Sequence, residues 1–208
     1  MPSYPYDLPR ADEIDVIDVD LVAAILGNTI EARRSSDGAA FRVDLADIRA
    51  PYEGQSWHSE SVAALNTLVK GKRGRFRIFE SIPPPEGMEE LGVTAMGRLY
   101  VDGKDISWEM VGGGNAWAWE GKSNDPALQE LQAWARENQV GLWALPASER
   151  EPPWEFLKRK MDQRMKQIQT PTPEQARSNR LKPPGAPSPG TPHSASRSAG
   201  SSFAETRT

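Results

Sequence analysis

Residues 16–51 read VIDVDLVAAILGNTIEARRSSDGAAFRVDLADIRAP. Val16 to Ile25 is dense in Val, Ile and Leu, and Thr29 to Arg34 alternates polar with apolar residues. Gly27-Asn28 between them suits the tight turn of a hairpin, so the two runs predict an antiparallel strand pair. Ser36-Asp37-Gly38 makes a second turn. Phe41, Val43, Leu45 and the run Ala46 to Ile48 predict a third strand, which Ala50-Pro51 stops.

Working outward from this stretch, Ser59 to Lys70 predicts a helix, with Ser59 as its cap and Val62, Leu65, Leu68 and Val69 along one face. Arg75 to Phe79 alternates as a strand, Pro83-Pro84-Pro85 forms a loop, and Thr94 to Val101 is a further strand. Asp102-Gly103 turns it into a short strand, Asp105 to Ser107. Glu109 to Gly112 reads as a short helix that ends in the bend Gly112-Gly113-Gly114. Asn124-Asp125-Pro126 opens a helix with proline in its first turn, and a last helix runs from about Pro153 to Ile168. Five main strands with a helix after the third predict a β-barrel with helices (α+β), a five-stranded, partly open OB-type barrel. Seven tryptophans, all between Trp57 and Trp154, supply large apolar surface for its core.

The 208 residues are 38% hydrophobic and 26% charged, enough for one domain with additional material. From Thr170 to Thr208, 22 of 39 residues are Pro, Ser, Thr or Gly, and the only large apolar side chains are Leu181 and Phe203. Such a segment cannot bury enough surface to offset its ordering entropy. The expected organisation is an acidic arm at 1–13, a barrel domain at 14–157, a basic amphipathic helix extension at 158–169 and a disordered Pro/Ser-rich tail at 170–208.

The net charge of -4 conceals opposite ends. Residues 1–20 carry six acids and one base, and residues 156–182 carry eight bases and two acids. No apolar run reaches the ~18 residues of a membrane span. The acidic N-terminus lacks a secretory signal pattern. There is no cysteine, and the only histidines are His58 and His193, so thiolate metal sites, His-rich metal sites and cysteine nucleophiles are excluded. An intracellular, non-secreted location, in cytoplasm or an organelle interior, is expected.

Six segments then occur in order: Gly27-Asn28-Thr29-Ile30, Val43 to Pro51 (VDLADIRAP), Gly54-Gln55, Gly97 to Ile106 (GRLYVDGKDI), Gly141-Leu142-Trp143 and Pro152-Pro153-Trp154-Glu155. Together they resemble the staphylococcal-nuclease-like (thermonuclease) domain over about residues 16–157. The resemblance implies the same five-stranded OB barrel and calcium-assisted phosphodiester hydrolysis. In that chemistry two acids bind the metal, a glutamate positions water, and two arginines hold the phosphate and its developing charge.

The positions matching that pattern are changed. Asn28 stands where the family has a metal-binding aspartate, Asp44 where it has an arginine, and Arg49 where it has an aspartate. Tyr52 replaces the glutamate and Thr94 the second arginine. An arginine in a calcium site repels the metal by roughly 8 kcal/mol at 4 Å with an effective dielectric of 20. The sequence therefore predicts an Asp44–Arg49 ion pair, no metal and no cofactor. A register shifted by two residues keeps the same strand face. It offers Arg42, Asp47, Glu53 and Arg98 as a displaced set, with calcium as the cofactor in that case.

The expected function is a catalytically inactive barrel serving as a structural or protein-interaction subunit of a larger assembly. Its partner contacts are placed on Trp154, Leu157, Met161, Met165 and Ile168, which recur every three or four residues on one helical face. The alternatives are a calcium-dependent nuclease with a displaced site and a non-catalytic binder of single-stranded nucleic acid.

Overall fold

The computed structural model describes residues 1–2, 15–88, 92–119, 123 and 125–169. It divides into a unit at Met1–Asp162 and a second at Gln163–Thr208, of which 163–169 are described. The elements in chain order are β1 (Val16–Leu26), β2 (Thr29–Arg34), β3 (Ala40–Leu45), β4 (Ile48–Arg49), α1 (His58–Val69), β5 (Arg73–Ile82), β6 (Thr94–Val101), β7 (Lys104–Asp105), α2 (Ile106–Gly112), β8 (Trp117–Ala118), α3 (Pro126–Glu137) and α4 (Pro153–Gln169).

Strands β3-β2-β1-β5-β6 form a closed five-stranded barrel. Every neighbouring pair is antiparallel except β3 and β6, which close it in parallel. Among the described residues four α-helices accompany it, the arrangement of an OB barrel. Alternation places Val43 and Leu45 of β3, and Ala95 and Leu99 of β6, in the core, while Arg42, Asp44, Met96 and Arg98 lie half-buried on the outer face. Close approach of the strands requires Gly97, because a Cβ there would stand 2.0 Å from the Arg77 carbonyl oxygen.

The core continues from Val19, Ile30, Val43, Leu45 and Phe76 through Leu65 of α1 to Ile106 and Met110 of α2 and Leu128 and Leu131 of α3. A second cluster gathers Trp117, Ala135, Leu142 and Trp143, with Trp57, Trp134 and Trp154 packed against it. The Trp117 and Trp143 rings stand edge to face at 4.3 Å.

Several local expectations are corrected. The third strand ends at Leu45, because the chain turns at Asp47 with φ 66° and then enters β4. Helix α1 begins at His58 behind Trp57, which has φ 69° and makes no side-chain cap, so Ser59 lies inside the helix. The short strand expected at Asp105 to Ser107 gives way to β7 and α2, with Asp105 as the α2 cap accepting from the Trp108 amide at 3.2 Å. The start of α3 is as expected: Asp125 accepts from the Ala127 amide at 3.0 Å, ahead of Pro126. Almost all of the acidic arm, and all of the tail at 170–208, lie outside the described residues.

Candidate active site

The turn joining β1 to β2 brings Asn28 against β3. Thr29 lies opposite Asp44 in the β2–β3 register. Asn28 is 6% exposed, and its Nδ2 donates to Asp44 Oδ1 at 2.5 Å. The Thr29 hydroxyl donates to the same oxygen at 3.2 Å. The Asn28 side-chain oxygen points the other way and accepts from the Ala50 amide at 3.4 Å.

Arg49 reaches the same carboxylate from β4. Its Nη1 lies 3.7 Å from Asp44 Oδ2, the ion pair that the sequence predicts, and donates to the Ile48 carbonyl at 2.8 Å. The guanidinium lies 3.8 Å from the centre of the Trp119 ring. Burial pushes the Asp44 carboxyl above its ordinary pKa, although Arg49, Asn28 and Thr29 all pull it down. Tyr52 is half-buried nearby in sequence, its amide bonded to Gln55 Oε1 at 2.9 Å, and Thr94 begins β6 opposite Arg42.

The displaced set is only partly assembled. Asp47 and Arg98 meet at 3.3 Å. Glu53 is exposed, and Arg42 lies on β3 opposite Glu31 of β2. Arg98 also bonds Asp105 Oδ2 at 3.2 Å and Asp125 Oδ2. The Trp108 indole donates to that same Asp125 oxygen at 2.8 Å. Burial outweighs the pull of Arg98 and pushes the Asp105 carboxyl up to about 6. The three acids hold the Arg98 guanidinium protonated well above its usual range.

Arg98 and Asp47 open onto a cavity of about 580 Å³ that is also lined by Arg77, Phe79, Tyr100, Trp108 and Asp125. Arg77 faces Arg98 directly across the β5–β6 register. On the same outer wall Asp44 lies beside Met96, two residues before Arg98 on β6. Sequence reading missed Arg77, Asp105, Asp125 and Trp119. Asp105 and Asp125 were legible only as helix starts, and nothing in their spacing joins them to Arg98.

The residues at the implied metal position do not fit a calcium ion. Calcium takes six to eight oxygen ligands, several of them carboxylate. Here one carboxylate is present, one of its oxygens accepts two hydrogen bonds and the other faces a guanidinium. Among the described residues, no group of three or more His, Cys, Asp or Glu side chains is disposed to hold a metal.

Trp154 packs in the tryptophan cluster, and Leu157 is 39% exposed. Met161, Met165 and Ile168 of α4 are all more than half exposed. Among the described residues no helix is long and apolar enough to cross a membrane.

A five-stranded barrel whose outer wall gathers arginines and carboxylates beside a cleft defines a nuclease-type OB fold. Residues 42–145 match the staphylococcal nuclease homologue family, and the chain belongs to it. An uncharacterized endonuclease of Escherichia coli is 32% identical over 141 residues, 67% of this chain and 84% of that protein. A micrococcal nuclease of Shigella flexneri is 31% identical over 143 residues, 66% of this chain and 78% of its own. An uncharacterized endonuclease of Haemophilus influenzae is 30% identical over 127 residues, 56% of this chain and 67% of its own. These relatives are named as nucleases over most of their length, which overturns the expectation of an inactive structural subunit. That expectation put the five altered positions ahead of the displaced set, Arg42, Asp47, Glu53 and Arg98, which was the alternative.

Proposed function

We propose that the chain hydrolyses phosphodiester bonds in nucleic acid, using a site displaced along the barrel wall from the family's position. The observation that carries this reading is the arginine pair Arg77 and Arg98, from adjacent strands, lining the cavity of about 580 Å³ with Asp47 at 3.3 Å from Arg98. A phosphate at this cavity receives charge-assisted donors from both guanidiniums.

In this arrangement Arg98 and Arg77 hold the non-bridging oxygens and stabilise the charge that develops on them. Water attacks phosphorus, and its proton passes to the Asp47 carboxylate. The bond from phosphorus to the leaving sugar oxygen breaks, and that oxygen takes a proton from solvent. Phe79, half exposed, and the half-buried Trp108 ring offer flat faces for a base next to the phosphate. No step passes through calcium.

The test is cleavage of end-labelled single-stranded DNA and RNA oligonucleotides by the full chain. Asp47→Asn is expected to lower the rate by about 100-fold with its thermal midpoint retained, the usual range for a general base. Absence of cleavage by the natural chain, or an Asp47→Asn variant as fast as its parent, contradicts the reading.

A further inference from the structure

Arg49 is held by three groups of the kinds that hold cations. A carboxylate oxygen of Asp44 lies 3.7 Å away, the Ile48 carbonyl accepts at 2.8 Å, and the Trp119 ring lies beneath the guanidinium at 3.8 Å. Its side chain is 15% exposed and that of Asp44 is 21% exposed, so solvent contributes little. Arg49 is fixed from two sides, since β4 pairs with β8, placing Arg49 opposite Trp117 next to Ala118 and Trp119. Asp44 Oδ1 accepts from Asn28 and Thr29, and Oδ2 faces the Arg49 guanidinium at 3.7 Å as an ion pair.

We propose that Arg49 is a tethered cation that fills the place of a divalent metal beside Asp44. The barrel then neither binds calcium there nor needs it, and replacing the guanidinium with a carboxylate opens a calcium site. The physical basis is charge and ligand count. A guanidinium carries a permanent charge on a planar, weakly hydrated group and sits well over an aromatic ring. Calcium needs that same carboxylate and carbonyl, together with a place that the guanidinium already fills. Without the guanidinium, Asp44 Oδ2 and the Ile48 carbonyl are the oxygens left beside the place it filled, and a carboxylate at position 49 adds a second acid.

The inference rests on the proposed nuclease reading only for its consequence, that hydrolysis runs without calcium; the site itself is tested with no nucleic acid present. The probe is terbium, a calcium mimic whose emission is excited through a neighbouring tryptophan, here Trp119. The full chain is compared with Arg49→Asp and Arg49→Gln. The natural chain is expected to give no terbium emission that calcium displaces. Arg49→Asp, which adds a second carboxylate, is expected to bind calcium at least about tenfold more tightly than Arg49→Gln, and to lose it again when Asp44→Asn is added. Arg49→Gln is the control for loss of the guanidinium without added negative charge.

Calcium-displaceable emission from the natural chain that Asp44→Asn abolishes overturns the proposal. So does a folded Arg49→Asp variant that binds no calcium. If the Arg49 variants do not fold, the natural chain and Asp44→Asn still decide it. A chain that cleaves no nucleic acid yet shows the predicted terbium pattern refutes the proposed function and leaves this inference standing.

Discussion

Arg49 and Asp44 form an ion pair at 3.7 Å in which the acid is on β3 and the base on β4, the reverse of the order that the nuclease resemblance implies. Exchange keeps the attraction between the strands while changing what the cleft can hold. A carboxylate on β3 with a guanidinium above it is neutral as a pair. Phosphate affinity must then come from elsewhere on the wall, and Arg77 and Arg98 are the arginines that line the adjacent cavity.

The pair should be energetically coupled. Asp44→Asn and Arg49→Gln are each expected to cost about 1–3 kcal/mol, because each leaves a partly buried charge without its partner. The double variant should cost less than the sum by about 1 kcal/mol. Urea unfolding of the four proteins measures this. Strict additivity contradicts a direct interaction.

Asp105 makes stability pH-dependent in a defined window. Its folded-state carboxyl is raised to about 6 from 3.8, so between these values the folded protein binds more protons than the unfolded chain. Stability from this group therefore rises as pH falls from 7 towards about 4.5, opposite to the usual carboxylate behaviour. Asp44, also raised by burial, acts in the same direction. Asp125, whose carboxyl is held low chiefly by hydrogen bonds from Arg98 and Trp108 against its desolvation, loses its contribution only at lower pH. Asp105→Asn keeps a competent helix cap and removes the titration. Scanning calorimetry across this window should show a flatter slope for the variant, and an unchanged slope sinks the assignment.

Gly97→Ala tests the close approach of β5 and β6 that sets Arg77 opposite Arg98. The new methyl would lie 2.0 Å from a backbone carbonyl, which cannot rotate away as a side chain would. A loss of about 3 kcal/mol or more is expected in denaturant unfolding. A variant as stable as its parent shows the strands to be more widely spaced.

Trp143→Ala probes the tryptophan cluster. Trp143 is 3% exposed, packs on Trp117 at 4.3 Å and lies under Arg136 at 4.4 Å. Truncation should cost about 3–5 kcal/mol, read as a lowered thermal midpoint.

The barrel was legible wherever local chemistry and fold agree. Apolar runs separated by Gly27-Asn28 give the β1–β2 hairpin, Asp125-Pro126 marks the start of α3, and the glycine and tryptophan segments order the rest. Reading failed where long-range contacts override the local signal. Ser59 is a good cap by itself, but the chain enters α1 through Trp57, whose indole donates to Asn115 Oδ1 at 3.1 Å from 58 residues away. Apolar residues continue past Leu45 at Ala46 and Ile48, yet Asp47 takes a left-handed turn held by the Trp119 amide donating to its carbonyl at 2.8 Å. The strand Trp117–Ala118 is two residues long and exists only through its pairing with β4. For the site, motif position pointed to Asp44, Arg49 and Asn28, and the alternative register already held Asp47 and Arg98. The rest of the wall is assembled from helix caps and a neighbouring strand, which no spacing rule connects.

The most direct test of the account is cleavage of a labelled single-stranded oligonucleotide by the full chain, in calcium and again in excess chelator. The same rate is expected in both, and its loss in Asp47→Asn. Cleavage that appears only with calcium, or none in either condition, contradicts it.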